Sequence, residues 1–437
     1  VNVGNVVFKR NTLLERLAYT NWASPVAAQN LLAFSPLTIT TRFSTYNEAT
    51  NIFVPVADPG VINFSPGTGY SIRAPNTFAA APTTTTFAGT FTGIPNNGNY
   101  TFAATNSGAN NGFNLIGNPY PSTILASQLF ANLNVDVLYF WDNANILVTG
   151  SNRYATRNNI AGVASAVSPA KVPTNFIGVG QGFFVQVNPG TNVVFNNGMR
   201  SSDNNPVFFR NATTDKSLFK LNLLNTTSMF NQIAIGYVNG ATNGVDNQID
   251  AVPFAPGTTM VSSLINNVDY VIQGRALPFA TTDVVPLGFR TDVAGSYSFT
   301  TEAFEGVFIG SQNIFLKDNL TGTTHNIKQS PYQFTSNVGT FNNRFEIVYQ
   351  STLGIANPNF DANNVFVFVK NDNININSGT STMKNVQVFD IRGRLVYDKK
   401  EVNATTFEIE NLKVEQAVLV VKITSADGQI VTKKIIF

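Results

Sequence analysis

The sequence predicts an all-β protein, with tandem β-sandwich domains followed by a small immunoglobulin-like β-sandwich. Three observations carry that expectation. Short runs rich in Val, Ile, Phe, Tyr and Thr recur along the chain, divided by Gly, Pro and Asn. Charged residues make up 12% of the 437 against 43% hydrophobic, with 36 phenylalanines, so there is apolar material for several cores and no signature of disorder. The last 73 residues, 365–437, hold at least four such runs, reversed at Arg392-Gly393-Arg394 and at Ala426-Asp427-Gly428-Gln429. Asp-Gly tolerates the positive φ angles of a tight hairpin, and Gly393 supplies the same freedom.

Residues 1–210 read as the first sandwich. Its strand candidates are Val3–Lys9, Thr38–Tyr46, Tyr70–Ala74, Thr86–Thr92, Tyr100–Ala103, Val137–Trp141, Gly182–Val187 and Val193–Asn196. One segment departs from the pattern: after Pro121, residues 122–133 place apolar side chains at helical intervals, with Ser122 positioned to cap the first turn. A single short helix is expected there. Gly117-Asn118-Pro119-Tyr120-Pro121 should be a rigid turn presenting Tyr120, since both prolines fix φ and push the residue before them out of the helical region. Tyr120, Trp22 and Trp141 are therefore candidate sugar-stacking residues, weighed against ordinary aromatic packing, which is the commoner use of such rings.

Polar residues at 202–216 mark a boundary, and residues 217–350 read as a second sandwich, jelly-roll or immunoglobulin-like. Eight strands are expected there: Leu218–Leu224, Gln232–Val238, Tyr270–Gln273, Val284–Phe289, Gly295–Thr300, Asn313–Lys317, Tyr332–Thr335 and Arg344–Tyr349. Residues 351–364, rich in Asn and without periodicity, read as a linker. Beyond it the composition shifts. Residues 365–437 carry 10 Lys/Arg and 8 Asp/Glu, or 18 of the chain's 52 charges, so a well-charged domain follows a neutral body.

The C-terminal segment resembles the sorting domain of proteins exported by the type IX secretion system of Bacteroidota. The resemblance rests on Val386-Gln-Val-Phe-Asp-Ile-Arg-Gly-Arg-Leu-Val-Tyr397, on Asp427-Gly428, and on the ending Lys433-Lys434-Ile-Ile-Phe437. The commonest version of that domain has Leu-x-x-Gly-x-Tyr before its penultimate strand, whereas Leu412 is followed here by Lys-Val-Glu-Gln-Ala-Val. That departure resembles the flavobacterial subclass usually called type C. The phrases Tyr19-Thr-Asn-Trp-Ala-Ser-Pro-Val, Asn114-Leu-Ile-Gly-Asn-Pro-Tyr-Pro-Ser and Gly178-Val-Gly-Gln-Gly-Phe-Phe-Val resemble a module that precedes sorting domains in repetitive flavobacterial surface proteins. The resemblance implies a secreted protein on the extracellular face of the outer membrane, with the type IX translocon and its shuttle proteins as partners. It implies recognition at Arg392, Gly393, Arg394, Asp427, Gly428, Lys433 and Lys434. Surface glycans or other surface proteins are further candidate partners. Val1 is expected to lie partway along a longer parent chain, because no domain-opening segment precedes the first strand.

Several chemistries have little support. The chain has no cysteine, which excludes disulfides, thiolate metal sites and cysteine nucleophiles. A formal net charge of +2 gives no nucleic-acid footprint. Gly178-x-Gly180-x-Gly182 looks like a phosphate loop but leads into a strand, not the helix whose N-terminus would receive the anion. His325 is the sole histidine and reads as a turn residue, and no Gly-x-Ser-x-Gly elbow accompanies it. The body is therefore expected to be non-catalytic and adhesive or structural, with a carbohydrate-binding accessory region of a larger secreted glycoside hydrolase as the alternative. No cofactor is expected except calcium, for which Asp246 and Asp250 in the Asn243–Asp250 stretch supply carboxylates without the EF-hand spacing.

Overall fold

The computed structural model describes residues 4–108, 111–131, 135–143, 150–166, 171–190, 192–202, 216–225, 228–350, 360, 365–379, 381–414, 417–426 and 428–437. The chain is all-β, with 51% of residues in strands and 5% in helix. It divides into two compact units, Val1–Gln350 and Ser351–Phe437.

In the first unit, a five-stranded sheet takes Gly162–Val163, Tyr154–Arg157, Val135–Trp141, Gly182–Val187 and Phe113–Gly117 in that spatial order. A four-stranded sheet orders Tyr19–Trp22, Tyr70–Arg73, Phe43–Asn47 and Ile52–Pro55, which leaves Ile52–Pro55 on an edge. Val6–Leu14 pairs antiparallel with Thr85–Gly93 over nine residues.

The 217–350 half is a sandwich of two larger sheets. One orders Ile272–Arg275, Met229–Tyr237, Ser217–Leu224, Gly295–Glu305 and Tyr332–Ser336, and the other is a six-stranded sheet centred on Val284–Thr291 and Gly339–Val348. Their inner faces meet through Phe299 against Phe345 and Phe289 against Phe334, with ring centroids 5.1 and 5.2 Å apart. The expected strand 270–273 is divided: Val268–Tyr270 ends in the six-stranded sheet, and Ile272–Arg275 pairs parallel with Met229–Tyr237 in the other.

The expected division between residues 210 and 217 does not separate two cores. Ser217–Leu224 and Met229–Tyr237 are buried on both faces. Their second face packs on the 1–210 half: Gln232 Oε1 accepts the Ala164 amide at 3.1 Å, and Gly236 lies against Ile160. One apolar cluster therefore joins Phe113, Leu115, Val137, Tyr139 and Phe184 to Leu221, Ile233, Phe254 and Phe289. The boundary segment 203–215 lies outside the described residues.

The expected helix is present but shorter, at Ala126–Phe130, with Leu129 and Phe130 buried. Ser122 does not cap it, because Thr123–Leu125 is a strand. The first amides are satisfied from a distance: Ala126 N donates to the Asn175 carbonyl and Ser127 N to Asn175 Oδ1, both at 2.8 Å. A second helix, Leu31–Phe34, was not expected. Its Asn30 cap accepts from Ala33 N at 2.9 Å.

The second unit is a sandwich of its own. A three-stranded sheet, Phe366–Lys370, Asn373–Asn377 and Thr406–Ile409, faces a four-stranded one ordered Leu395–Ala404, Met383–Asp390, Val418–Ser425 and Ile430–Ile436. The strict alternation of Val418–Ser425 puts Leu419, Val421 and Ile423 inside, against Ile374, Ile376, Val386 and Val388.

Candidate functional site

Trp141 is the predicted stacking residue that is only half-buried where it meets a cleft. It ends the central Val135–Trp141 strand, half-buried, and its Nε1–H donates to the Tyr19 carbonyl at 2.9 Å. Tyr154 meets the indole edge-on at 5.1 Å, and the Arg153 guanidinium sits 5.6 Å from the indole centroid. Two hollows adjoin Trp141. One, of about 350 Å³, is polar and includes Arg10, Asp142, Asn143, Lys171 and Gln181. The other, of about 330 Å³, is walled by Tyr19, Phe53, Pro55, Trp141 and Tyr154 and, among the described residues, is lined by no carboxylate.

Trp22 and Tyr120 are placed otherwise. Trp22 is 2% exposed, with its ring 5.1 Å from Phe34 and 5.5 Å from Phe87 inside an aromatic core. Tyr120 has no exposure, and its hydroxyl donates to the Gly98 carbonyl at 2.7 Å. The turn around it is held by Asn118 and points Tyr120 inward, not outward as expected. Asn118 Oδ1 accepts the Tyr120 amide, and Asn118 Nδ2 donates to the carbonyls of Ser122, Ile177 and Gly178. Burial pushes the Tyr120 hydroxyl up to about 12, and the neighbouring Tyr100 adds to that. Neither ring face is open to a sugar.

Asp246 and Asp250 close a turn. Asp246 Oδ2 accepts the Thr242 amide at 2.6 Å, while Asp250 Oδ2 and Oδ1 accept the amides of Asp246 and Gly274 at 2.7 and 2.8 Å. Calcium requires six to eight converging oxygens, and both carboxylates are already turned to backbone donors. Among the described residues no group of three or more His, Cys, Asp or Glu converges. A chelator is expected to leave the melting temperature unchanged, because only a ligand bound to the native state raises stability. A calcium-dependent increase would reverse this assignment.

Burial pushes the Asp250 carboxyl up to about 6 despite its two amide donors, and the Asp246 charge adds to the rise. Asp136 is raised to about 6 for the same first reason. Folding favours the protonated form of each. Their stabilisation is full below the unfolded value near 3.9 and is lost as pH rises through about 6. Thermal melts are expected to show this unit losing stability between pH 4.5 and 7, with a shallower slope in Asp250→Asn.

His325 sits in the strand Thr323–Asn326, not in a turn. Its Nε2 is 3.0 Å from both the carbonyl oxygen and Oγ of Ser330. A ring that donates to that carbonyl cannot also take a proton from the hydroxyl through the same nitrogen.

In the second unit, Gly393 has φ +79°, in a turn organised by a residue the sequence reading passed over. Asp390 Oδ1 accepts the amides of Arg392 and Arg394, each at 2.9 Å, and Asp390 Oδ2 pairs with Arg394 Nε at 3.1 Å. These amides, Arg394's first, hold the Asp390 carboxyl below its ordinary value. An Asp two residues before the first turn amide is the local signal that could have identified it. Gly428 has φ +88°, and its amide donates to the Ser425 carbonyl, while Asp427 lies outside the described residues. Arg392, Arg394 and Lys434 are exposed, but Lys433 is half-buried, because Val431, Lys433 and Ile435 share the inward side of their strand. The outer face of the four-stranded sheet is divided. Pairing aligns Leu395, Phe389, Val420 and Lys434 in one row, with Val418 and Ile436 beside it, whereas Gln387, Asp398, Lys422 and Thr432 form the next row. Half of this face is apolar and bordered by basic residues.

Fold and clefts together define an all-β protein of two units, a large layered body and a small C-terminal sandwich. The chain belongs to a family described as Domain of unknown function (DUF8693), whose model matches residues 1–349. A second model, also described as Domain of unknown function (DUF8694), matches residues 353–437. Both matches respect the division between the compact units. Comparison with curated proteins gives no match.

Proposed function

We propose that the chain is a secreted, non-catalytic surface protein of a type IX-exporting bacterium. Residues 365–437 serve as its sorting domain and the 1–350 body as an adhesive or structural module. The observation that supports this most is that Ser351–Phe437 is a compact unit with its own core, as a transferable export signal requires. Its divided outer face, apolar with Arg392, Arg394 and Lys434 alongside, offers the translocon or shuttle a composite surface. Basic residues there would steer encounter while the apolar strip holds the complex.

Fusing residues 365–437 to an inert reporter bearing a periplasmic export signal, in a type IX-competent flavobacterium, tests the reading. The reporter is expected in the medium or on the cell surface. Gly393→Val should abolish export, because a β-branched residue at φ +79° is strained by about 1–2 kcal/mol. A reporter that stays periplasmic, even when the fusion extends over the whole chain, would sink the assignment. The body is expected to give no turnover across a panel of glycans and peptides.

The aromatic hollow beside Trp141 favours a second reading, in which the body is a carbohydrate-binding region, including one that serves a larger secreted hydrolase. Retention on polysaccharide columns, lost on substitution within that hollow, is the expected behaviour.

A further inference from the structure

We infer that the hollow formed by Tyr19, Asn21, Arg42, Phe53, Trp141 and Tyr154 binds one carboxylated pyranose, a hexuronate unit of an acidic glycan. This rests on the carbohydrate-binding reading and names its ligand class.

The walls come from separate parts of the fold. Tyr19 and Asn21 lie on the Tyr19–Trp22 strand, Phe53 on the edge strand Ile52–Pro55, and Trp141 and Tyr154 on neighbouring strands of the five-stranded sheet. Trp141 and Tyr154 are held 5.1 Å apart, and the Trp141 Nε1–Tyr19 bond ties the two sheets together at this point. The aromatic walls are thus set by packing before any ligand arrives. The volume, about 330 Å³, is at the small end of small-molecule clefts, which suits a single ring. A pyranose presents an apolar C–H face bordered by hydroxyls, so it matches aromatic walls that carry a few polar groups.

The charged group open to a ligand here is Arg42. Arg42 is exposed at the mouth, in the short turn Thr40–Arg42. Among the described residues its guanidinium makes no ion pair, and no acidic residue lines the hollow. A planar, unpaired guanidinium matches a carboxylate with two parallel hydrogen bonds. An apolar peptide side chain would fill the aromatic walls but leave Arg42 unused. A neutral hexose would leave Arg42 unused.

The test titrates the full chain with oligogalacturonate, oligomannuronate and oligoglucuronate, and with their carboxyl-reduced neutral counterparts. Calorimetry and tryptophan fluorescence are read together. Trp22 is buried in its core, so a ligand-dependent emission change reports Trp141. At least one uronate series is expected to bind at least tenfold more tightly than its reduced form. Arg42→Gln should remove that preference, and Phe53→Ala should weaken binding at least tenfold. Both residues are exposed, so circular dichroism should show the fold retained. Trp141→Phe should weaken binding, because it removes part of the aromatic wall and the Nε1–H bond to the Tyr19 carbonyl, and should abolish the fluorescence signal. Three results each overturn the inference: no uronate binding, equal binding of the reduced sugars, or binding indifferent to Arg42→Gln. Binding of reduced sugars that Phe53→Ala abolishes would leave the carbohydrate reading standing while removing the acidic specificity. The export fusion contains none of these residues, so the two proposals fail separately.

Discussion

Residues 1–210 expressed alone are expected to show no cooperative unfolding transition, whereas residues 1–350 should retain that of the whole chain. The reason lies in the shared core. Phe254 packs its ring 4.6 Å from Phe113, 4.6 Å from Phe184 and 4.8 Å from Tyr154, three residues from the other side of the expected boundary. Cutting at 210 removes that ring and the whole of the Ser217–Leu224 and Met229–Tyr237 face, and it exposes Leu115, Val137 and Tyr139. At roughly 1.5–3 kcal/mol per large apolar side chain, six exposed residues cost about 9–18 kcal/mol, as much as the whole net stability of a typical domain, about 5–15 kcal/mol. A milder form of the same experiment is Phe254→Ala, which should destabilise the unit by about 3–5 kcal/mol. Both tryptophans lie in this unit, so fluorescence-detected urea unfolding follows it without interference from residues 351–437. A sharp, independent transition from residues 1–210 would restore two separate sandwiches.

Asp318→Ala should cost about 3–5 kcal/mol, a large effect for a single carboxylate. Asp318 has no exposure, and Arg344, its partner at 3.0 Å, is 6% exposed in its side chain. The carboxylate also accepts from the Tyr332 hydroxyl and the Leu320 amide. Arg344 donates to the Thr335 carbonyl and lies over the rings of Phe345 and Phe334, at 4.6 and 5.0 Å. Removing the acid leaves a guanidinium buried among rings without its counter-ion. Removing both, as in Asp318→Leu with Arg344→Met, should recover most of the loss, since an apolar pair has no charge to desolvate. Burial pushes the Asp318 carboxyl up, but the hydrogen bonds from Arg344 and Tyr332 outweigh it and hold it below its ordinary value. Its contribution is therefore present above the unfolded value near 3.9 and is lost as pH falls below the carboxylate range. Wild type should lose stability there more steeply than Asp318→Ala. Equal acid sensitivity would show that the pair does not govern this range.

Strands with one wet face announce themselves in this chain. Val418–Ser425 alternates at a period of two, and Gly295–Glu305 and Tyr332–Ser336 lie where their aromatic spacing puts them, because alternation is the direct imprint of a half-buried pleat. The turn at Gly393 was legible for a similarly local reason, as only backbone freedom satisfies φ +79°. Tyr19–Trp22, Phe113–Gly117 and Tyr154–Arg157 were not read as strands: they are short and largely buried, and they lack alternation. The larger misreading has the same root. Leu218, Lys220 and Asn222, with Gln232, Ala234 and Gly236, look like an outward face, and that face became the seam with the 1–210 half. Small and polar residues can line an interior seam when hydrogen bonds such as Gln232 to Ala164 satisfy them, and pattern alone cannot separate such a seam from water.

The candidate site follows this division. Trp141 was selectable by residue type, but Trp22 and Tyr120 were equally so, and burial alone distinguished them. Arg42, Asn21 and Phe53 carried no signal, since their convergence depends on strands distant in sequence meeting around one indole. Composition, strand period and turn chemistry are local properties, so the sequence by itself determined the all-β class, the C-terminal sandwich and its turns. Which faces meet each other and which meet solvent depends on long-range packing, so only the tertiary structure decided the single core of residues 1–350 and the hollow beside Trp141.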